Sequence, residues 1–236
     1  MWKHSFYRKH HISMNKLNVV RILTIANLLL SAACSNESEQ KVTRQSHEAS
    51  DIQRVDSLMD GDILFQISTS GQGKAIQLAT NSPYSHCGIL FRENNEWMVF
   101  EGVQPVKKTK LSEWIHRGDG QHYVNKRHKD AASLLTKEVK EKMKEEAKKQ
   151  LGKNYDLTFE WNDDRIYCSE LVYKIYQRGA GLSVGTLQKL KDFNLNSPVV
   201  GAKLKERYGK NIPLNETVIS PGAIFADSSL VEILSE

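Results

Sequence analysis

One cysteine stands where a nucleophile would be expected. Cys168 directly precedes an apolar run with helical spacing, which begins at Leu171 and which Gly179 is expected to end. Unpaired N–H groups and the helix dipole at such a position stabilise a thiolate and lower the pKa of the thiol. The same N–H groups can hold the oxyanion that forms when a thiolate attacks a carbonyl carbon. The chemistry indicated is acyl transfer through a thioester.

A thiolate nucleophile needs a base, and histidine changes its charge near neutral pH. Of the eight histidines, four precede the predicted domain, and three lie in a charged stretch typical of a surface. His86 alone lies in an apolar segment with the pattern of a strand, 84–91. Such a histidine is either the base for Cys168 or a hydrogen-bonded core residue, and the pattern leaves both open. The three residues expected at the surface are His116, His122 and His128.

The elements that position these residues follow from periodicity and turn signals. A buried strand over 63–67 and a short helix over 74–80 are predicted before an antiparallel hairpin over 86–101, with its turn at 93–95. Thr136 is expected to cap a helix that runs to Leu151, with one apolar stripe and with its lysine and glutamate residues in solvent. The hairpin would carry His86, and the helix that follows Cys168 would carry the nucleophile.

The order of these segments resembles the permuted papain-like amidases of the YaeF/YiiX type, within the NlpC/P60-like group. The resemblance implies an α+β, circularly permuted papain-like fold, in which an antiparallel sheet packs against helices and the nucleophilic cysteine lies at a helix N-terminus. The histidine strand then precedes the cysteine helix, the reverse of the order in ordinary papain-like enzymes. The matching segments, within 56–231, are Gly61–Phe65, Ser85–Ile89, Glu101–Gly102, Gly152–Phe159, Tyr167–Val172 and Ile219–Pro221.

The resemblance also implies roles for site residues. Cys168 and His86 would form the catalytic pair, and Glu101 would accept a hydrogen bond from His86 as the acid of a triad does. The alternative for Glu101 is an ordinary exposed strand carboxylate. No cluster of histidine, cysteine and carboxylate residues has metal-ligand spacing, so neither a metal nor another cofactor is expected. Three residues are expected at the site wall or near the oxyanion: Tyr155, Tyr167 and Ser169, the last also as a capping hydroxyl.

The first fifty residues have the pattern of an export signal and a tether. Residues 1–33 carry five basic residues, no acid and an apolar run over 22–33 that is too short to span a bilayer. The run ends at Ser31-Ala-Ala-Cys34, which resembles a bacterial lipobox, although a large apolar residue is usual in place of Ser31. Cys34 is therefore expected to carry lipid; a plain secreted form and a buried N-terminal helix are the alternatives.

The predicted boundaries follow from the same pattern. Residues 1–33 are the signal peptide, 34–50 the lipidated cysteine and a polar tether, and 51–236 the hydrolase domain. A start at Met14 would give a signal of more usual length and leave residues 1–13 untranslated. Beyond residue 33 the remaining 28 basic residues balance 28 acidic ones. The formal charge of +5 therefore comes from residues 1–33 and does not indicate binding to nucleic acid.

Cys87 is the other cysteine of the predicted domain, and in an oxidising compartment a disulfide with Cys168 is one possibility. Neighbouring side chains on a strand point to opposite faces, so if His86 faces Cys168, Cys87 is expected to face away. The favoured expectation is a buried free thiol that takes no part in the mechanism.

The sequence therefore predicts a cell-envelope cysteine hydrolase that cleaves a peptide or N-acyl amide bond through a Cys168 thioester, with His86 as base. The expected partners are an amide- or ester-bearing envelope molecule, either peptidoglycan peptide or lipid, and a membrane reached through the N-terminal lipid. The membrane expected is the outer one, and a periplasmic or secreted form is the alternative. The alternative functions are a lipid acyl hydrolase or acyltransferase on the same site and a non-catalytic envelope binding module.

Overall fold

A six-stranded antiparallel sheet lies at the centre of the fold. The computed structural model describes residues 57–235, and the spatial order of the strands in this sheet is β10-β5-β1-β2-β3-β4. Two further pairs, β6 with β7 and β8 with β9, lie outside it. In chain order the strands are β1 (Ile63–Gln66), β2 (His86–Glu93), β3 (Glu96–Glu101), β4 (Lys107–Lys110), β5 (Tyr123–His128), β6 (Asn154–Tyr155), β7 (Arg165–Ile166), β8 (Gln188–Lys189), β9 (Thr217–Val218) and β10 (Leu230–Ser235).

Seven α-helices among the described residues pack around this sheet or connect its strands. The segment after Ile175 continues as one π turn over Tyr176–Ala180, and short 3₁₀ turns occupy Asp119–Gln121 and Leu190–Asp192. The α+β arrangement, with an antiparallel sheet packed against helices, is confirmed. The helices are α1 (Gly71–Thr80), α2 (Leu111–Arg117), α3 (Ala131–Leu134), α4 (Lys137–Gln150), α5 (Cys168–Ile175), α6 (Pro198–Tyr208) and α7 (Pro221–Phe225).

Alternation along β2 gives the sheet two distinct faces. Cys87 and Ile89 belong to the larger core cluster, which also contains the apolar residues of α5. Leu90 belongs to a smaller cluster with Trp114 of α2. Because side chains alternate across a strand, β2 contributes to both clusters at once. The strand that begins with His86 is therefore fixed from both sides.

Turns and caps define the predicted hairpin and helices. Asn94 and Asn95 take the positive φ values of 48° and 66° between β2 and β3, so the hairpin over 86–101 is confirmed. The hydroxyl of Thr136 accepts from the Val139 N–H at 3.3 Å and begins α4, as predicted. The helix expected from residue 74 begins earlier, at Gly71, because the Ser70 hydroxyl caps it.

Two details of the predicted helices are wrong. Lys144 and Glu146 of α4 are buried rather than solvated; the Lys144 ammonium donates to the Arg92 carbonyl at 2.9 Å. The Cys168 helix does not end at Gly179 but runs through the π turn to Gly181, which has φ 70°. A Cβ at Gly179 would lie 2.5 Å from Met143 Cα, so this glycine permits the close approach of α4.

The predicted N-terminal segments lie outside the described residues. These are the signal over 1–33, Cys34, the tether over 34–50 and the expected start of the domain at 51. Within the part of the chain that the structure describes, every helix is too short or too polar to cross a bilayer.

Candidate active site

Cys168 is the first residue of α5, as the sequence predicted, and is only 2% exposed. The first backbone bond of the helix runs from the Leu171 N–H to the Tyr167 carbonyl at 2.9 Å. The N–H groups of Cys168, Ser169 and Glu170 therefore have no partner within the helix. These groups carry the positive end of the helix dipole and can stabilise an anion beside the Cys168 sulfur.

His86 begins β2 and lies between Cys168 and Glu101. Its Nε2 atom is 2.7 Å from Oε2 of Glu101, and its ring also makes a hydrogen bond with the Cys168 side chain. Because Nε2 is occupied by Glu101, Nδ1 is the nitrogen that faces Cys168. The ring stacks on Trp114 with a centroid distance of 6.1 Å, which fixes its orientation.

Glu101 ends β3 and is completely buried. Besides His86, it accepts a hydrogen bond from Oγ1 of Thr109 at 2.5 Å and one from the Arg117 guanidinium. Burial alone would raise the pKa of this carboxyl group, but the bonds from His86, Arg117 and Thr109 lower it to about 2. Glu101 is therefore a carboxylate at neutral pH and not the exposed strand residue of the alternative interpretation.

The charges of His86 and Cys168 depend on each other. Burial opposes a charged imidazole, yet hydrogen bonds to Cys168 and Glu101 raise the pKa of His86 to about 9. A hydrogen bond from Cys87, followed by the bond and the charge of His86, lowers the pKa of Cys168 well below its usual value against the opposing effect of burial. Near neutral pH the pair is a thiolate and an imidazolium.

The expectation that Cys87 faces away from Cys168 is wrong. His86 and Cys87 do point to opposite sides of β2, but α5 packs against the side that carries Cys87. His86 meets Cys168 from the end of the strand, where it is the first residue. Both cysteines are buried free thiols, and the Cys87 side chain is hydrogen-bonded to Cys168.

The three weaker site residues divide into two groups. The Tyr167 hydroxyl accepts from the Ile219 N–H at 3.1 Å, and the Ser169 hydroxyl donates to the Ile219 carbonyl at 2.8 Å. Both hydroxyls therefore hold the segment at Ile219, and the capping role expected for Ser169 is wrong. The Tyr155 hydroxyl accepts from Nε2 of Gln72 at 2.8 Å, so the hydroxyl proton of Tyr155 points away from Gln72. Burial and the charge of Cys168 raise the Tyr155 pKa, so this proton stays on the oxygen.

Several residues of the site were missed by sequence reasoning. Arg117, Thr109 and Gln72 are polar residues with no motif around them, and only the fold brings them to the site. Gly102 follows Glu101 directly, and a Cβ on it would lie 2.7 Å from the Cys168 backbone nitrogen. His128, which was expected at the surface, is only 7% exposed because it lies on β5, between β10 and β1.

Two cavities meet at the candidate site. The first contains Cys168 and has a mostly apolar wall, with Lys203 and Arg207 of α6 also lining it. The second is lined by His86, by small and polar residues, and by the apolar residues Val103 and Leu157. Gln72, Ile76 and Tyr155 line both cavities. The apolar residues of the first cavity include Ala75, Ile76, Ala79, Leu190, Leu204 and Val218.

Two solved or curated relatives come from Escherichia coli. The uncharacterized protein YiiX of strain K12 is 53% identical over 176 residues, which are 75% of this chain and 86% of that protein. A crystal structure described as that of the metalloprotein YiiX from strain O157:H7 matches with a TM-score of 0.73 and 52% identity, over 76% of this chain and 98% of that one.

A metal site was tested on the side chains themselves, because the second relative is described as a metalloprotein. Within residues 57–235, no group of three histidine, cysteine, aspartate or glutamate side chains is placed to hold a metal ion. The described residues therefore do not fit such a site.

A model of one protein family matches residues 57–233, nearly the whole described region, and is described as that of a permuted papain-like amidase, YaeF/YiiX, C92. The sheet, the histidine strand and the later cysteine helix of this chain have the circularly permuted papain-like order that the resemblance implied. The chain belongs to the YaeF/YiiX, C92 family of permuted papain-like amidases.

Proposed function

We propose that this protein is a cell-envelope cysteine hydrolase that cleaves an amide bond through a thioester on Cys168. The observation that supports this most directly is the line from Cys168 through His86 to Glu101, with the Nε2–Oε2 distance of 2.7 Å. The thiol is ionised, the base is charged and the acid is held by three donors. The nucleophile also borders an apolar cavity.

Each step of the reaction has a residue to perform it. The Cys168 thiolate attacks the amide carbonyl carbon, while the free N–H groups of α5 and the Tyr155 hydroxyl stabilise the oxyanion. His86 gives its proton to the leaving nitrogen as the C–N bond breaks, which leaves a thioester and a neutral imidazole. His86 then takes a proton from water, and the hydroxide attacks the thioester. The acid leaves, and the thiolate and imidazolium are restored.

The two cavities indicate how a substrate would be oriented. His86 must reach the leaving group, so the leaving group belongs in the cavity that His86 lines. The acyl group then occupies the apolar cavity that contains Cys168. Apolar cavities bind ligands chiefly through the hydrocarbon surface that they bury.

The apolar cavity favours a second candidate function on the same site, the transfer or hydrolysis of a long-chain acyl group. A peptide acyl group would leave many of its amide groups without partners in such a cavity, which costs about 1–3 kcal/mol for each. A hydrocarbon chain has no such groups. Arg207, whose guanidinium lies 4.9 Å from the Phe159 ring, adds a positive charge to the wall and would suit an acyl compound with an anionic group.

One experiment tests both functions. The full chain and Cys168→Ala are incubated with bacterial envelope extract, quenched in acid and digested, and the peptide that contains residue 168 is weighed. An acyl adduct on Cys168 and a released acid that Cys168→Ala does not produce are the expected results. His86→Ala is treated in the same way, and His116→Ala, which alters an exposed histidine, is its matched control.

The mass of the adduct identifies the substrate class. A peptide adduct supports the amidase, and a hydrocarbon chain supports the second candidate. In the latter case Leu204→Trp, which fills the apolar cavity, should reduce adduct formation about tenfold or more, whereas Leu134→Trp at an exposed site should not. Equal acid release by Cys168→Ala, or a Cys168 no more reactive to iodoacetamide than a model thiol at about pH 6, would instead favour the binding module.

A further inference from the structure

The proposed hydrolysis makes no covalent use of Cys87, although this thiol lies against the nucleophile. Cys87 is completely buried, and both its side chain and its backbone N–H are hydrogen-bonded to the Cys168 sulfur. The ladder between β2 and β3 ends at the pair Gly88–Glu101, so it does not extend to the amide of Cys87. Two free thiols are thus held together at the end of a strand.

The two thiols differ in their state of ionisation. Burial raises the pKa of Cys87 well above its usual value, and its hydrogen bond to Cys168 raises it further. The pKa of Cys168 is lowered well below its usual value, with the bond from Cys87 as the largest cause. One sulfur is therefore a thiolate, and the other keeps its proton. A thiolate reacts with hydroperoxides, whereas a buried thiol does not.

We propose that Cys87 is a resolving cysteine, which forms a reversible disulfide with Cys168 after a hydroperoxide has oxidised the nucleophile. A hydroperoxide such as hydrogen peroxide can approach Cys168 through the cavity that Cys168 lines. The contact between the two side chains then places the second sulfur where the oxidised one can be attacked. The disulfide is a product of this oxidation and not a permanent structural bond, since both thiols are free in the folded chain.

The two steps balance. The Cys168 thiolate attacks one oxygen of hydrogen peroxide, the O–O bond breaks, and the departing hydroxide takes a proton to become water; Cys168 is left as a sulfenic acid. The Cys87 sulfur then attacks the Cys168 sulfur, and the S–O bond breaks. The hydroxyl group leaves as water with the proton of Cys87. The two thiols have supplied two electrons, which reduce one peroxide to two waters.

The disulfide would inactivate the site but protect it. A sulfenic acid with no neighbouring thiol is oxidised further to a sulfinic acid, which ordinary thiol reductants do not reverse. The disulfide returns to two thiols by exchange with a reducing thiol. An exported protein in an oxidising compartment would thus keep its nucleophile in a recoverable form.

The test uses the full chain, reduced and then treated with a small excess of hydrogen peroxide. Digestion without reductant and mass measurement should give a Cys87–Cys168 linked peptide, with a loss of about 2 Da relative to the two free peptides, that dithiothreitol reverses. In Cys87→Ser, which keeps a hydrogen-bonding group beside Cys168, residue 168 should gain about 32 Da as sulfinic acid, about tenfold faster than in the native chain. Near-ultraviolet circular dichroism checks that this variant is folded.

Two results would overturn the proposal. One is sulfinic acid at Cys168 of the native chain at the same rate as in Cys87→Ser, without a linked peptide. The other is a linked peptide that joins Cys168 to Cys34 instead. If the variant does not fold, the native chain still decides: sulfinic acid at Cys168 without a linked peptide overturns the proposal. Since the readout is mass and not acid release, a linked peptide in a protein that hydrolyses nothing would contradict the proposed function and leave this inference intact.

Discussion

At the scale of single residues, the sharing of Glu101 Oε2 has the clearest chemical effect. His86 and Arg117 both bond to this oxygen, while Thr109 takes the other. Arg117 keeps the carboxylate ionised, but as a cation it also opposes the positive charge on His86. Its side chain is 42% exposed, so solvent weakens this effect without removing it. Arg117 is therefore a positioning residue that moderates the basicity of His86.

The first prediction concerns this moderation. Replacing Arg117 by glutamine removes a cation beside the imidazolium, so the pKa of His86 should rise above its present value of about 9. The measurement is the rate of iodoacetamide alkylation of Cys168 against pH, followed by peptide mass. In the native chain the alkylation rate should be constant over the pH range in which the thiolate and imidazolium are both present. It should then rise again near pH 9, where His86 loses its proton. In Arg117→Gln this rise should move up by about half a pH unit to one unit.

Two variants separate charge from structure in that experiment. Arg117→Lys keeps the cation and should leave the second rise within about a quarter unit of the native position. Arg178→Gln removes a comparable exposed arginine that pairs with Asp163 away from the site and should have no effect. A downward movement in Arg117→Gln would show that Arg117 does not oppose the charge of His86.

At the scale of helices and strands, periodicity was sufficient for the hairpin, for α4 and for the position of Cys168 at a helix start. Each of these depends on local signals, such as the turn at Asn94 and the cap at Thr136. Local signals do not show how the helices and strands pack against each other. Strand alternation correctly separated His86 from Cys87, but only the fold shows which face of β2 meets α5. The same limit applies to Arg117 and to the apolar cavity, whose residues come from segments far apart in sequence.

A close approach of two elements at the site gives the second prediction. Gly102 passes the start of α5 so closely that a Cβ would meet the Cys168 nitrogen at 2.7 Å and its Cα at 2.8 Å. Gly102→Ala should therefore push the nucleophile away from His86. We expect a loss of about 1–3 kcal/mol in the free energy of unfolding and alkylation of Cys168 near neutral pH about tenfold slower. Urea denaturation and the alkylation assay measure the two effects.

The matched control is a helical glycine with open space around it. Gly201 lies within α6, and nothing is within 4 Å of its added Cβ. Gly201→Ala should raise the free energy of unfolding by about 0.4–1 kcal/mol and leave alkylation unchanged. If Gly102→Ala behaved as Gly201→Ala does, the close approach would not be what holds Cys168 against His86.

At the scale of the whole molecule, the balanced charge and the N-terminal segment bear on location. The sequence beyond residue 33 carries as many basic as acidic residues, so electrostatic attraction gives it little affinity for a membrane. No helix within residues 57–235 could cross a bilayer. We propose that lipid on Cys34 attaches the protein to a membrane. A lipid anchor would also bring the apolar cavity near acyl chains.

The third prediction tests this dependence. In a bacterial host, the native chain should sediment with membranes and carry the added mass of lipid on Cys34. Cys34→Ser should lack that mass and appear in the soluble fraction, whereas Ser35→Ala should behave as the native chain does. Fractionation and intact mass measurement are the checks. Continued sedimentation of Cys34→Ser with membranes would mean that another part of the chain provides the attachment.

The two hydrogen bonds to Ile219 determine when the site can be completed during synthesis. Ile219 lies about fifty residues after the start of α5, which it holds through Tyr167 and Ser169. Strand β10, which completes one edge of the sheet, follows later still. During synthesis, residues 167–169 emerge well before the segment that holds them in place. A chain that is still being made therefore has its nucleophile before it has the finished site around it. Reactivity at Cys168 would begin only when the segment around Ile219 has folded against α5.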